Sequence, residues 1–116
     1  MLLIYGNHAS WDGWTPEEYD TIVRTHVELQ KELVESGEFV GAKGLTTLGA
    51  KTVRVEGGVP AVTDGPFTEA KEYLAGYYIL DCESIDRVTE IAAGLWEAKS
   101  SPIEIRQFIE DDRMRF

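Results

Sequence analysis

The sequence is poor in the residues that hold metals or form cross-links. Its 116 residues include one cysteine, Cys82, and two histidines, His8 and His26. A single thiol excludes an intramolecular disulfide, so nothing in the composition asks for an oxidising compartment. None of these nitrogen or sulfur side chains falls in a zinc spacing, and no metal or other cofactor is expected. Cys82 lies between Asp81 and Glu83. Neighbouring carboxylates disfavour the thiolate that a nucleophilic cysteine needs.

Positive charge is scarce as well. Eleven Lys and Arg stand against 21 Asp and Glu, a formal net charge of -10. Such a balance argues against nucleic acid and against an anionic membrane surface as partners. It suits solubility and a neutral or cationic ligand. No apolar run approaches the length of a membrane span. The opening Met1-Leu2-Leu3-Ile4-Tyr5-Gly6 is too short for a secretory signal and has no basic residue ahead of its apolar stretch. The expected location is the cytoplasm. The glycines form neither a phosphate loop nor a dinucleotide fingerprint.

What is present is enough for one core. Hydrophobic residues make up 43% of the chain, and a single domain over residues 1–116 is expected, with a loose charged tail from about residue 110. Leu2 to Asn7 carries apolar residues in both registers of a strand, the pattern of a strand covered on both faces. His8 to Trp14 reads as a loop. Thr15, Pro16 and Glu18 then spell an N-cap, a first-turn proline and a capping box. The helix they open should run to about Ser36 and stop at Gly37. Its apolar stripe is Tyr19, Ile22, Val23, Leu29, Leu33 and Val34.

Phe39 to Leu48 reads as extended. Thr52 to Glu56 alternates, Gly57-Gly58 supplies a hairpin turn, and Val59 to Thr63 returns. Asp64-Gly65-Pro66-Phe67 and a polar turn over residues 68–72 follow. Tyr73 to Cys82 reads as a long strand, with Leu74, Tyr78 and Leu80 on one face and Tyr77 and Ile79 on the other. Ser84 caps a second helix through Leu95, with Gly94 inside it. Pro102 opens a last strand, with Ile103 and Ile105 opposite Glu104 and Arg106. The order predicts an α+β, ferredoxin-like βαββαβ plan with an inserted hairpin and both helices on one face of an antiparallel sheet. The other face is too apolar to meet water alone, and a two-fold homodimer is the simplest cover.

Four residues stand out as site candidates. His26 falls in the middle of the first helix's apolar stripe, where a histidine facing the sheet would serve as an acid–base group near pH 7. It would equally suit a core histidine satisfied by a backbone carbonyl. Asp64 could project a carboxylate beside His26, or simply accept backbone N–H groups in its own turn. Arg106 could hold a ligand carboxylate on the uncovered face, or pair with Glu104. Tyr77 could line the same cavity or pack in the core.

Taken together, Asp64-Gly65-Pro66-Phe67, Lys71-Glu72 and Gly76-Tyr77-Tyr78 resemble the YCII-related proteins, in particular the branch named for its Asp-Gly-Pro-Phe motif. Leu3-Ile4-Tyr5-Gly6, the helix ending before Gly37, Gly44-Leu45 and Ile103-Glu104-Ile105-Arg106 resemble it too. One departure is Ala75, where a second glycine usually precedes Gly76. The resemblance implies a ferredoxin-like fold that dimerises into an α/β barrel. It also implies a pocket between helix and sheet, with a histidine and an aspartate as a catalytic pair. His26 matches that histidine, and Asp64 is the expected aspartate. Two functions follow: a cofactor-independent enzyme acting on a small organic molecule, or a dimer that binds a small ligand, regulatory and without turnover. A structural dimer whose motif merely fixes the fold is the third reading.

Overall fold

The computed structural model describes residues 1–7, 13–67 and 72–109. The expected charged tail, His8 and most of the polar turn after Phe67 lie outside these residues.

The first strand, β1 (Leu2–Gly6), puts Leu2 and Ile4 into the core, with Leu2 wholly inaccessible. Helix α1 (Pro16–Ser36) begins where its capping residues dictate. The Thr15 hydroxyl accepts from the Glu18 backbone N–H, and Gly37 ends the helix in the left-handed conformation, φ 80°. Only a residue without Cβ adopts that conformation at little cost. The Gly37 and Glu38 N–H groups then satisfy the last free carbonyls, those of Val34 and Leu33. Of the apolar stripe, Ile22 and Leu33 are buried, whereas Tyr19, Val23 and Val34 stay exposed.

Strand β2 (Phe39–Gly44) stops short of the expected Leu48, and a hairpin of β3 (Lys51–Glu56) and β4 (Val59–Asp64) follows. Its turn is Gly57-Gly58, both at positive φ. Strand β5 (Tyr73–Leu80) ends two residues before the expected Cys82. Helix α2 (Ile85–Ala93) starts on the Ser84 hydroxyl, which accepts from the Arg87 N–H. It closes at Gly94, so the expected continuation through Leu95 does not occur. Leu95 turns to an extended conformation, φ -70° and ψ 138°, and a 3-10 turn, Trp96–Lys99, follows before β6 (Ile103–Ile105).

The main sheet has the order β2-β5-β1-β6 with every pairing antiparallel. Among the described residues there are two α-helices, and β3 and β4 form a separate two-stranded sheet. The architecture is α+β and consistent with a ferredoxin-like fold. The core lies between the helices and one sheet face. Leu2, Ile4, Leu33, Tyr78, Ile91, Ala92 and Leu95 meet there, with Leu29, Phe39, Val88, Ile103 and Ile105 at its margin. Burying each large apolar side chain there contributes about 1.5–3 kcal/mol.

Two sequence details acquire a physical meaning. A Cβ on Gly76 would stand 2.9 Å from the Lys43 carbonyl oxygen. Glycine is required at Gly76, and its neighbour Ala75 is accommodated and buried. The register between β1 and β5 slips between Ile4 and Tyr5, and past that slip Leu74 is left 36% exposed.

The molecule measures 50 × 43 × 18 Å, with a radius of gyration of 16.6 Å. A compact chain of this length would have about 13 Å. The short axis fits one layer of helices on one sheet, since each layer is about 10 Å thick. The second sheet face carries Leu3, Tyr77, Lys43 and Glu104 in one cross-strand row.

Candidate functional site

Helix α1 lays a polar pair on the sheet in the middle of its apolar face. His26 follows Ile22 by four residues and precedes Leu29 by three, so the helical period turns it inward. Gln30 comes one turn later on the same line. Beneath them, the alternation of β5 points Tyr78 toward the helices, where it is 3% exposed. The Tyr78 ring packs edge-on to Phe39 at 6.4 Å and stacks against the His26 ring at 5.7 Å.

The third element is the 3-10 turn. Gly94 ends α2, buried Leu95 anchors the reversal, and Glu97 is carried back toward α1. The Glu97 side chain is 5% exposed. Its two carboxylate oxygens lie 2.7 and 3.0 Å from His26 Nε2. On the far side of the ring, His26 Nδ1 is 2.6 Å from the Tyr78 hydroxyl. Gln30 Nε2 donates to that hydroxyl at 3.2 Å.

The donors and acceptors fix the protons. With Glu97 as a carboxylate, which can only accept, Nε2 carries the hydrogen. When the imidazole is neutral, Nδ1 is then bare and accepts from the Tyr78 O–H. Every member of the chain Glu97–His26–Tyr78–Gln30 is satisfied, as a buried polar network must be if it is not to cost stability. Burial, more than the nearby Glu97 charge, raises the Tyr78 phenol above its ordinary range, and the Gln30 hydrogen bond opposes this. The phenol therefore stays protonated around neutral pH.

All four side chains line a cavity of 680 Å³ between α1, β2 and β5. Its other walls include Trp14, Tyr19, Val23, Val27 and Tyr77. Tyr19, Val23 and Val27 are 45–62% exposed and give the wall an apolar surface. Apolar walls around a few convergent polar groups are what small-molecule sites look like.

The expected partnership of His26 with Asp64 is not formed within the chain. Asp64 sits at the end of β4, 87% exposed, with its carboxylate on Lys51. The turn it begins is held by backbone. Gly65 has φ 99° and donates its N–H to the Ala50 carbonyl at 2.8 Å. Its own carbonyl accepts from the Thr52 hydroxyl at 2.8 Å. Arg54 lies 5.0 Å over the Phe67 ring. Pro66 and Phe67 line a different cavity, also 680 Å³, with Tyr5, Tyr73 and Pro102. Arg106 is likewise outside the His26 cavity. Its backbone pairs with Met1, N–H to Met1 O at 2.9 Å and C=O to the terminal ammonium at 2.6 Å. By strand alternation it shares the sheet face away from the helices with Tyr77, with β1 between them.

Sequence reading missed Glu97, Tyr78 and Gln30. Gln30 was legible, one turn beyond His26 on the same helix. Tyr78 was legible only as a core position. Glu97 gave no signal of its own, and the stop that delivers it, Gly94, reads in the sequence as a residue inside the helix. The remaining charged cluster is Arg87, which grips Glu38 through Nε at 3.0 Å and Nη2 at 3.0 Å. It holds the Glu38 carboxyl down at about 2, with the Ser36 hydroxyl adding to the effect. Burial, then the Glu38 carboxylate, pushes the Cys82 thiol up. Among the described residues no group of three or more His, Cys, Asp or Glu side chains could hold a metal ion. No helix among them is long and apolar enough to cross a membrane.

Two helices over one face of an antiparallel sheet define an α+β protein with a histidine-lined cavity between helix and sheet. The profile of the YCII-related domain matches residues 1–111, and the chain belongs to that family. It is also similar to an uncharacterized protein of Rhizobium meliloti (strain 1021), 35% identical over 101 residues, which cover 86% of this chain and 82% of that protein.

Proposed function

We propose that the helix–sheet cavity is a cofactor-independent acid–base site acting on a small organic molecule, with His26 oriented by Glu97. The observation that carries this is the double contact of Glu97 with His26 Nε2. A buried carboxylate that fixes the tautomer and stabilises the imidazolium is the arrangement that makes a histidine an effective proton acceptor and donor. In this reading Glu97 takes the place expected of Asp64. The chemistry is proton transfer, as in abstraction, elimination or hydrolysis.

The test is turnover of small carbonyl, halogenated and ester compounds by the purified protein. His26→Ala and Glu97→Gln should each lower a detected activity about 100-fold or more. Activity that survives both changes would sink the proposal. A ligand-binding dimer without turnover is the second reading, favoured by the apolar wall of Tyr19, Val23 and Val27. Its signature is thermal stabilisation by a compound that is never consumed.

We further propose that the chain falls in the Asp-Gly-Pro-Phe branch of its family and works in the cytoplasm as a single-domain homodimer. Supporting the dimer are the single layer of helices and the row Lys43, Tyr77, Leu3 and Glu104 on the face they leave bare. A second copy over that face would place Tyr77 and Arg106 around a shared cavity for a ligand. Light scattering at micromolar protein tests it, and a monomeric mass counts against it.

A further inference from the structure

Both ring nitrogens of His26 are already engaged, Nε2 by Glu97 and Nδ1 by Tyr78. A substrate cannot reach either without breaking a short hydrogen bond. Tyr78 differs. Its hydroxyl oxygen receives one hydrogen bond, from Gln30, and shares one hydrogen with His26. The direction of that shared hydrogen depends on the charge of His26.

With neutral His26, Nδ1 is an acceptor and the Tyr78 hydrogen points at it. With protonated His26, Nδ1–H is itself a donor, and two N–H groups, from His26 and Gln30, converge on the Tyr78 oxygen. The hydroxyl hydrogen then has no hydrogen-bond acceptor among the described residues and is free to turn toward the cavity that Tyr78 lines. A phenol that accepts two hydrogen bonds, one of them from a cation, is a strengthened donor.

We propose that Tyr78 is the residue of this site that meets the ligand, that His26 feeds it a proton through Nδ1, and that Glu97 is the positioning residue behind His26. The ligand it fits is a small apolar molecule bearing an anionic oxygen, a carboxylate, enolate or phenolate. The apolar skeleton lies along Tyr19, Val23 and Val27 and the oxygen meets Tyr78. In the transfer step Tyr78 gives its proton to the ligand oxygen and takes the Nδ1 proton of His26. The O–H bond of the product forms as the Tyr78 O–H bond breaks. A neutral imidazole remains, its Nε2–H on Glu97.

Other charges around His26 are Lys43 of β2, which lines the same cavity, and Glu28 and Glu32 of α1 with Arg87 and Glu90 of α2, which line a second, smaller cavity that His26 also borders. None of them contacts Nδ1 or the Tyr78 hydroxyl. The switch therefore belongs to the pair His26–Tyr78, with Glu97 behind it. The inference rests on the acid–base reading of the cavity, yet its test needs no turnover.

The experiment is an NMR titration of the ligand-free protein, with ¹⁵N-labelled histidine and ¹³Cζ-labelled tyrosine. In its neutral form His26 should show a bare Nδ1 and a protonated Nε2. The Tyr78 Cζ resonance, assigned by its loss in Tyr78→Phe, should move in step with protonation of His26 and stand still in His26→Gln. A protonated Nδ1 on neutral His26, or a Tyr78 resonance blind to that protonation, overturns the switch. Benzoate is the ligand probe, with benzamide as the uncharged control. Benzoate should bind more tightly as His26 protonates and lose about tenfold in affinity in Tyr78→Phe, the effect of one hydrogen bond to a charged group. Equal binding of benzoate by Tyr78→Phe, or no binding at millimolar benzoate, overturns the ligand assignment. Failure to detect turnover, with the titration as expected, would fall on the proposed reaction and not on the switch.

Discussion

Glu97 reaches His26 Nε2 with both carboxylate oxygens across 71 residues of sequence. The pair ties the 3-10 turn after α2 to the middle of α1. It holds two otherwise separate pieces of the helical layer over Tyr78. Its removal should therefore be felt in stability as well as in any chemistry.

Glu97→Ala removes the acceptor of a buried Nε2–H and should destabilise the fold by about 1–3 kcal/mol. Glu97→Gln retains the shape and one acceptor and should cost less. Urea unfolding of the two variants, with m-values compared to the parent, checks the order. A destabilisation by Gln equal to that by Ala would mean that the carboxylate itself, and not its shape or a single retained acceptor, holds the turn.

The Asp-Gly-Pro-Phe turn should depend on its glycine more than on its aspartate. Asp64 is exposed and pairs with Lys51 at the surface. Asp64→Asn should change stability by less than about 1 kcal/mol. Gly65, at φ 99°, should lose about 1–3 kcal/mol on replacement by alanine, because the added Cβ disfavours that backbone region. Thermal unfolding of both variants measures the contrast, and a larger loss at Asp64 would reverse this assignment.

Gly76→Ala should cost about 1–3 kcal/mol, since its Cβ would meet the Lys43 carbonyl oxygen at 2.9 Å. Backbone sits on both sides of the contact, so no flexible side chain can yield. Ala75→Gly, one residue away, should be far milder. Hydrogen exchange along β2 and β5 would show whether the pairing opens in Gly76→Ala.

The Glu38 carboxyl is held at about 2 in the folded chain, against an ordinary value of 4.5, first by the Arg87 hydrogen bonds and then by that of Ser36. A carboxyl with a depressed folded value stabilises the native state fully above 4.5 and loses that contribution as pH falls from 4.5 to 2. In that interval the unfolded chain binds more protons. Glu38→Gln should flatten the acid limb of the stability curve there and leave the slope above pH 5 unchanged. An unaltered acid limb would show that Arg87 does not grip Glu38 in solution.

Cys82 should resist alkylation at neutral pH. Burial raises its thiol, and the Glu38 carboxylate raises it further. Glu38→Gln should therefore speed the reaction with iodoacetamide. An alkylation rate matching that of a free thiol in the parent protein would contradict the partly buried placement beside Glu38.

Much of the scaffold could be read along the chain. Thr15, Pro16 and Gly37 bound α1, Gly57-Gly58 turn the hairpin, and alternation set the faces of Tyr77 and Tyr78. These signals are local, because capping and turn chemistry act over three or four residues. The misreadings came where a distant contact decides. Gly94 weakens a helix whether it lies inside or at the end; here α2 ends on it, and Leu95 beyond it is buried in the core.

His26 was legible as an inward polar residue, because helical period alone turns it toward the sheet. Its partner was not. Asp64 was the natural choice by motif, yet the hairpin carries it outward to Lys51. Glu97 reaches the histidine only after the second helix has broken and turned back. The sequence by itself determined which side chains face inward and where the chain turns, since both follow from neighbours in the chain. Only the tertiary structure decided which carboxylate meets His26. Hydrogen bonds across 71 residues depend on the packing of whole elements, and no local pattern encodes it.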